Sequence, residues 1–173
     1  MRLLHPKRTY CIWFTGLPGA GKSRLAHLVE RYLKSEWLPC FLLDEHNLRQ
    51  GLSSDLTHQQ YSEATRRISE TSRLMNQSGM ITLVSDFSPY AEDRRRARQI
   101  HPPGQFFEVF VDTPAEVCQQ RAKQGKFWMG DGRNYQPPEN PEVAVLTGKW
   151  SEQESLDYLL KKLPIRDAKA VSV

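Results

Sequence analysis

Gly16-Leu17-Pro18-Gly19-Ala20-Gly21-Lys22-Ser23 sets two glycines five positions apart and follows the second at once with a lysine and a serine. Glycines allow a loop to turn its backbone N–H groups inward around phosphate oxygens, a lysine there neutralises β- and γ-phosphate charge, and the next hydroxyl suits Mg²⁺. The spacing predicts that residues 16–23 hold the phosphates of ATP, with Lys22 acting on the transferred group and Ser23 on the metal. Such a cradle serves hydrolysis or transfer. No N-K-x-D element for guanine recognition is present, and the arginine-bearing polar stretch after residue 43 favours transfer to a small hydroxyl compound.

Other side chains of suitable type lie farther along. Asp44 follows the apolar run at 40–43, where its carboxylate could orient an acceptor hydroxyl, take its proton or hold metal-bound water. Arg49 could fork onto a phosphate or sulfate as a lysine could not. Ser85 and Asp86 close a third apolar run, and Asp112 a fourth. His46 could act as a base near neutral pH, and structural roles stay open beside all of these: a surface arginine at 49, a turn cap at Asp44, a helix start at Asp112-Thr113-Pro114, and polar surface at His46.

The elements that must bring these residues together follow from the pattern of apolar positions. Residues 10–15 form a short aromatic-rich strand, and the glycine loop leads into a helix marked by Leu25, Leu28, Val29, Tyr32 and Leu33. Residues 40–43 are a second strand, followed by a polar, loop-like stretch and a helix from about Glu63 that Gly79 ends. Residues 80–84 are a third strand, Pro89 fits the first turn of an arginine-rich helix, and 106–111 are a fourth strand. A proline-interrupted loop leads to a last helix opened by the capping-box pair Ser151 and Glu154, with Leu156, Leu159, Leu160 and Leu163 inward. Strands alternating with helices require a mainly parallel sheet covered on both faces, a three-layer α/β/α sandwich of the P-loop NTPase type. Ligands of such sheets bind at the carboxyl ends of the strands, where the loop, Asp44, Asp86 and Asp112 all fall.

The 173 residues, 39% of them hydrophobic, suffice for one compact domain, so residues 1–173 are expected to form a single kinase domain. No apolar run is long enough for a membrane span and no secretory leader is visible, which points to the cytoplasm. Three scattered cysteines, Cys11, Cys40 and Cys118, match no metal or disulfide spacing. The net charge of +4 is gathered in arginine clusters at 66–73 and 94–98, which suits a small anionic partner or a solvated helix face. Nucleic acid is not expected, because no recognition motif accompanies the charge.

The loop FTGLPGAGKS at 14–23, Asp44-Glu45-His46-Asn47-Leu48-Arg49 with Gly51-Leu52, Ser88-Pro89-Tyr90 with Asp93-Arg94, the stretch 108–114, Glu116-Val117-Cys118 with Arg121, and residues 137–142 together resemble the adenylyl-sulfate kinases. Those enzymes use ATP to phosphorylate the 3′-hydroxyl of adenosine 5′-phosphosulfate (APS), the last step of sulfate activation. The resemblance implies ATP and Mg²⁺ as cofactors, Arg121 over the nucleotide, Asn47 and Arg49 on the acceptor, a lid near 122–138 and a homodimer. It also points to Tyr61, Arg66, Ser88 and Tyr90 as neighbours of the acceptor.

The departures are concentrated at the acceptor. Where the family reads D-G-D-N this chain has Asp44-Glu45-His46-Asn47, so the second aspartate is lost, and Asp86 stands where an apolar or aromatic residue is usual. Asp86 is expected to replace the lost carboxylate, in catalysis or on the metal. The arginine and asparagine of the family's acceptor segment are missing from 55–67, leaving Tyr61 or His58 for stacking, and the lid is shortened, with Phe127, Trp128 and Tyr135 as its aromatics. Two other readings therefore stand beside an adenylyl-sulfate kinase: a kinase of the same fold acting on a different nucleotide-linked metabolite or biosynthetic intermediate, and a nucleotide-binding module without turnover.

Overall fold

The computed structural model describes residues 8–57, 60–124 and 134–165. Among them five strands form one parallel sheet: β1 (Cys11–Thr15), β2 (Cys40–Asp44), β3 (Ile81–Ser85), β4 (Phe106–Val111) and β5 (Val143–Val145), in the order β2-β3-β1-β4-β5. Six helices accompany them: α1 (Lys22–Ser35), α2 (Glu45–Gln50), α3 (Tyr61–Gln77), α4 (Ala91–Gln99), α5 (Ala115–Gln124) and α6 (Glu152–Lys162). Parallel neighbours force crossovers, and these put helices on both faces. Because side chains alternate along a strand, Ile12 and Phe14 of β1 enter the core beneath α1 and α6, while Cys11 and Trp13 enter the core beneath α3 and α4. No helix among the described residues is long and apolar enough to cross a membrane.

The three-layer parallel architecture expected from the sequence is the observed one, and four local expectations are corrected. The stretch after β2 is not loop-like throughout: Glu45 and Arg49 form an i,i+4 pair and carry α2. Pro89 lies ahead of α4, whose N-cap is Tyr90. The first turn is met from outside by Gln136, whose side-chain oxygen accepts the Ala91 N–H and whose own N–H bonds the Pro89 carbonyl. Strand β3 begins one residue late and takes in Ser85. Strand β5, three residues long, pairs with β4 inside the stretch expected to be loop. The capping box at Ser151 and Glu154 is present in full, and Leu159 and Leu163 are buried, with Leu156 and Leu160 half-buried against them.

The arginine-rich helix α4 is only partly a solvated face. Arg95 and Arg96 are exposed and pair with Glu92, whereas Arg94 is 2% exposed. Its Nε donates to Glu108 of β4 at 2.7 Å, one terminal nitrogen to the Ser88 carbonyl at 2.7 Å and the other to the Gln136 carbonyl at 2.6 Å. Each nitrogen of the guanidinium thereby has an acceptor, which is the condition for burying a charge. At the amino ends of the strands, Nδ1 of buried His101 lies 2.7 Å from the Ala97 carbonyl, which can only accept, so Nδ1 carries the proton and Nε2 faces the Ser72 hydroxyl at 3.1 Å. Burial, with Arg73 nearby, lowers the His101 pKa.

Arg94→Met leaves Glu108 without its main partner and should cost on the order of 3 kcal/mol, whereas Arg95→Ala should cost less than about 0.5 kcal/mol. Urea denaturation decides, and equal effects would return Arg94 to the surface. For His101 the unfolded imidazole binds a proton near pH 6.5 while the folded one resists it. Its contribution is therefore complete above that pH and is lost as the pH falls below it. The melting temperature of the wild type should drop more between pH 7.5 and 5.5 than that of His101→Gln; parallel curves would exclude His101 as the cause.

Candidate active site

At the carboxyl end of β1 the chain enters the glycine loop, and its close packing explains the glycines. Gly19 has φ 81°, and a Cβ added there would sit 2.7 Å from the Cys118 carbonyl oxygen; one at Gly16 would sit 2.6 Å from that of Val111. Leu17 packs on the core and Ala20 is buried within it, and the Ala20 N–H bonds the Leu17 carbonyl across Pro18. The Ala20 carbonyl is braced from outside by the hydroxyls of Thr113 and Thr147, each 2.9 Å from it and close to one another, and by Arg121 at 3.2 Å. Gly21 caps α1, so the first turn of that helix directs its N–H groups at the loop.

Lys22 is buried, and its Nζ donates to the carbonyls of Gly16 and Leu17 at 2.9 and 3.0 Å. Burial lowers its pKa, and the charges of Glu45, then Asp86, act the other way. Ser23 meets Ser85, the last residue of β3, hydroxyl to hydroxyl at 3.0 Å. This contact joins the loop to the neighbouring strand at the point where Asp86 follows. Asp86 is 3% exposed, and its Oδ2 accepts from Thr65 of α3 at 3.2 Å. Burial, and next the charge of Glu45, push its carboxyl up to about 7, with Lys22 acting in the opposite direction. A carboxyl poised there can take up a proton at neutral pH. Asp44 is buried at the end of β2, in register with Ser85.

The acceptor-side residues divide. Arg49, on α2, donates to Glu45 at 3.0 Å and lies over the Tyr61 ring at 5.7 Å. Tyr61 meets Phe87 edge-to-face at 5.3 Å and Tyr90 at 6.5 Å. Asn47 is exposed on α2. Two expected residues are not brought to this group. Arg66 is exposed on α3 and forks onto Glu63, its neighbour one turn away, through bonds of 2.7 and 2.8 Å. Ser88 is 1% exposed, with φ 36°; it accepts from the Trp13 indole at 3.0 Å and donates to Thr15 at 3.1 Å, so its hydroxyl holds a strained turn.

Of the lid aromatics, Tyr135 stacks between Phe87 and Phe110, with centroids at 5.8 and 6.2 Å, and its hydroxyl lies 3.2 Å from Thr15. Burial pushes that phenol up to about 12. His58, Phe127, Trp128 and most of the expected lid, and the side chain of His46, lie outside the described residues. Glu45, Thr65 and Thr147 carry no signal in the sequence that assigns them a role here; Ser85 does, as the polar residue closing an apolar run beside Asp86, and Thr113 is marked there only as part of a helix start.

The corner thus offers a phosphate cradle, hydroxyls at Ser23 and Ser85, carboxylates at Asp44 and Asp86, and an arginine facing an aromatic wall, an arrangement suited to moving a phosphoryl group onto a hydroxyl. Residues 8–146 match the adenylylsulphate kinase family. The adenylyl-sulfate kinase of Vibrio vulnificus is 37% identical over 175 residues, covering 94% of this chain and 84% of that protein. The bifunctional enzyme NodQ of Rhizobium sp. (strain N33) is 39% identical over 173 residues, 93% of this chain, which spans 27% of that longer enzyme. Among solved structures, the Mycobacterium tuberculosis APS kinase CysC in complex with AMPPNP and APS superposes with a TM-score of 0.81 at 36% identity, over 90% of this chain and 98% of that one. With residues 8–146 matching the family and most of its length shared with these relatives, the chain belongs to the adenylylsulphate kinase family.

Proposed function

We propose that this chain transfers the γ-phosphoryl group of ATP to the 3′-hydroxyl of APS, giving 3′-phosphoadenosine 5′-phosphosulfate. The observation that carries the reading is the meeting of Lys22 and Ser23 after β1, Asp44 at the end of β2 and Asp86 after β3 on one sheet edge, with Arg49 beside them. In the reaction the acceptor oxygen attacks the γ-phosphorus, the bond from that phosphorus to the bridging oxygen of ADP breaks, and the hydroxyl proton passes to Asp86. Thr65 fixes the Asp86 carboxylate for that role, and Asp44 orients the hydroxyl. Lys22 exchanges the carbonyls of Gly16 and Leu17 for phosphate oxygens and stabilises their charge. Arg121 lies against the outside of the same loop, on the nucleotide side. Arg49 forks onto the acceptor's anionic group, with Asn47, Tyr61 and Tyr90 around it.

The residues present fit Mg²⁺: the Ser23 hydroxyl and the carboxylate of Asp86 are hard oxygen donors, and this ion takes few protein ligands beside water and phosphate. When bound, it neutralises charge on the β- and γ-phosphates. Residues 1–173 act as one kinase domain with a lid near 122–138, and a reducing cytoplasm suits the free thiols of Cys11, Cys40 and Cys118. A kinase for another nucleotide-linked hydroxyl compound is the second reading, favoured by the placement of Arg66 and Ser88 away from the acceptor group.

Mass spectrometry of protein, Mg·ATP and APS should show the 3′-phosphorylated product, abolished in folded Lys22→Ala; nucleotide binding without product would sink APS as the acceptor. Asp86→Asn should lower kcat by about 10²- to 10⁴-fold at saturating Mg²⁺. Unchanged turnover would remove Asp86 from the chemistry, and recovery on raising Mg²⁺ would move it from the proton to the metal.

A further inference from the structure

Glu45 stands where the resembling kinases have the glycine of D-G-D-N, and the reaction proposed above does not use it. Its two oxygens serve two different elements. Oε1 accepts from Arg49 Nε at 3.0 Å along α2, and Oε2 accepts from the backbone N–H of Phe87 at 3.1 Å, in the turn that follows β3. Phe87 is 5% exposed, so without this carboxylate its N–H would be a buried donor lacking its acceptor. Arg49 is itself largely covered, with 17% of its side chain exposed, and lies over the Tyr61 ring. A solvent-exposed i,i+4 pair holds its partner weakly, but here one end of the pair is anchored to the backbone of the turn after β3.

We infer that Glu45 is a positioning residue whose carboxylate couples the acceptor-side Arg49 to the 85–88 turn carrying Asp86, so that the acceptor's anionic group and its reacting hydroxyl are held in one register. The kinetic part of this inference rests on the phosphotransfer reading; the tie itself does not. Glycine at this position could make neither bond, so the coupling belongs to this chain's departure from the family pattern. The same turn is held on its other sides, by Thr15 on the Phe87 carbonyl at 3.2 Å and by Arg94 on the Ser88 carbonyl. Loss of the Glu45 bond therefore releases one edge of the turn without unfolding it. Glutamine is the informative replacement: it keeps size but turns one acceptor oxygen into a donor, which must face either the Phe87 N–H or the Arg49 Nε–H.

The test combines hydrogen exchange by nuclear magnetic resonance with steady-state kinetics on the full chain. In Glu45→Gln, exchange at the Phe87 amide or the Arg49 Nε–H should accelerate at least about tenfold, the loss of one charge-assisted bond. KM for APS should rise about tenfold, whereas KM for ATP should not rise, because the substitution removes a negative charge whose field reaches Lys22. In an Arg49→Lys background the same substitution should add little to KM for APS, since coupled residues are not additive. Unchanged exchange at both protons, equal rises in both KM values, or full additivity with Arg49→Lys would each overturn the inference. If the wild type makes no product from APS, the proposed acceptor fails, and the exchange measurement still decides the tie.

Discussion

The buried guanidinium of Arg94 sets the geometry on which the site depends. It joins three pieces of chain that no sheet hydrogen bond connects: Glu108 inside β4, the Ser88 carbonyl in the turn after β3, and the Gln136 carbonyl where the chain returns from the lid region. A lysine could meet one of these acceptors well but not all three, because its donors share one nitrogen whereas the planar fork spreads them over three. Arg98 adds a second cation to Glu108, at 3.4 Å, and clamps Glu142 beside β5 through two bonds. The charge cluster therefore adds polar ties on the α4 side of the sheet to the smaller apolar core packed there. It fixes the turn that carries Asp86 and Phe87 from below, leaving the strained Ser88 backbone little freedom to relax.

Above that turn the electrostatics are arranged around Lys22. A buried ammonium loses hydration, and the loop carbonyls of Gly16 and Leu17 replace part of it. Glu45, Asp86 and Asp44 add an attractive field. The same field opposes an incoming triphosphate, so nucleotide binding gains from whatever cation accompanies it. Asp86 experiences the converse: burial and Glu45 favour its protonated form, and Lys22 and Arg49 favour the charged one. Movement of Lys22 from loop carbonyls to phosphate changes the balance at Asp86 without any displacement of Asp86 itself.

Much of this was legible in the sequence where the determining interactions are local. The glycine loop, the apolar runs of β1 to β4 and the Ser151 capping box each depend on residues within a few positions of one another, and each was placed within one residue or so. What escaped depends on distant partners. Strand β5 has only three residues, too few for any periodicity, and exists because β4 offers it an edge. Arg94 looks in sequence like Arg95 and Arg96, and only Glu108 and Gln136, 14 and 42 positions away, make it a buried hub. Thr113 and Thr147, which brace the Ala20 carbonyl, lie 93 and 127 positions from it. Arg66 misled for the opposite reason: its type fits an acceptor site, but Glu63, one turn away on α3, takes its whole fork.

Asp86, which follows β3, is buried at a depth where an unassisted carboxylate would simply stay protonated. This chain supplies the assistance around it: Thr65 as a donor, Lys22 and Arg49 as cations, and Ser85 joining its strand end to Ser23. Glu45 works against that ionisation by its charge while it fixes the same turn by its hydrogen bond. The two effects of Glu45 are separable, because the bond needs only an acceptor oxygen and the field needs a charge. A site organised in this way gives up some ease of ionisation at Asp86 in return for a tie between its turn and Arg49, and in phosphoryl transfer, where positioning supplies much of the rate, fixed geometry is the larger contribution.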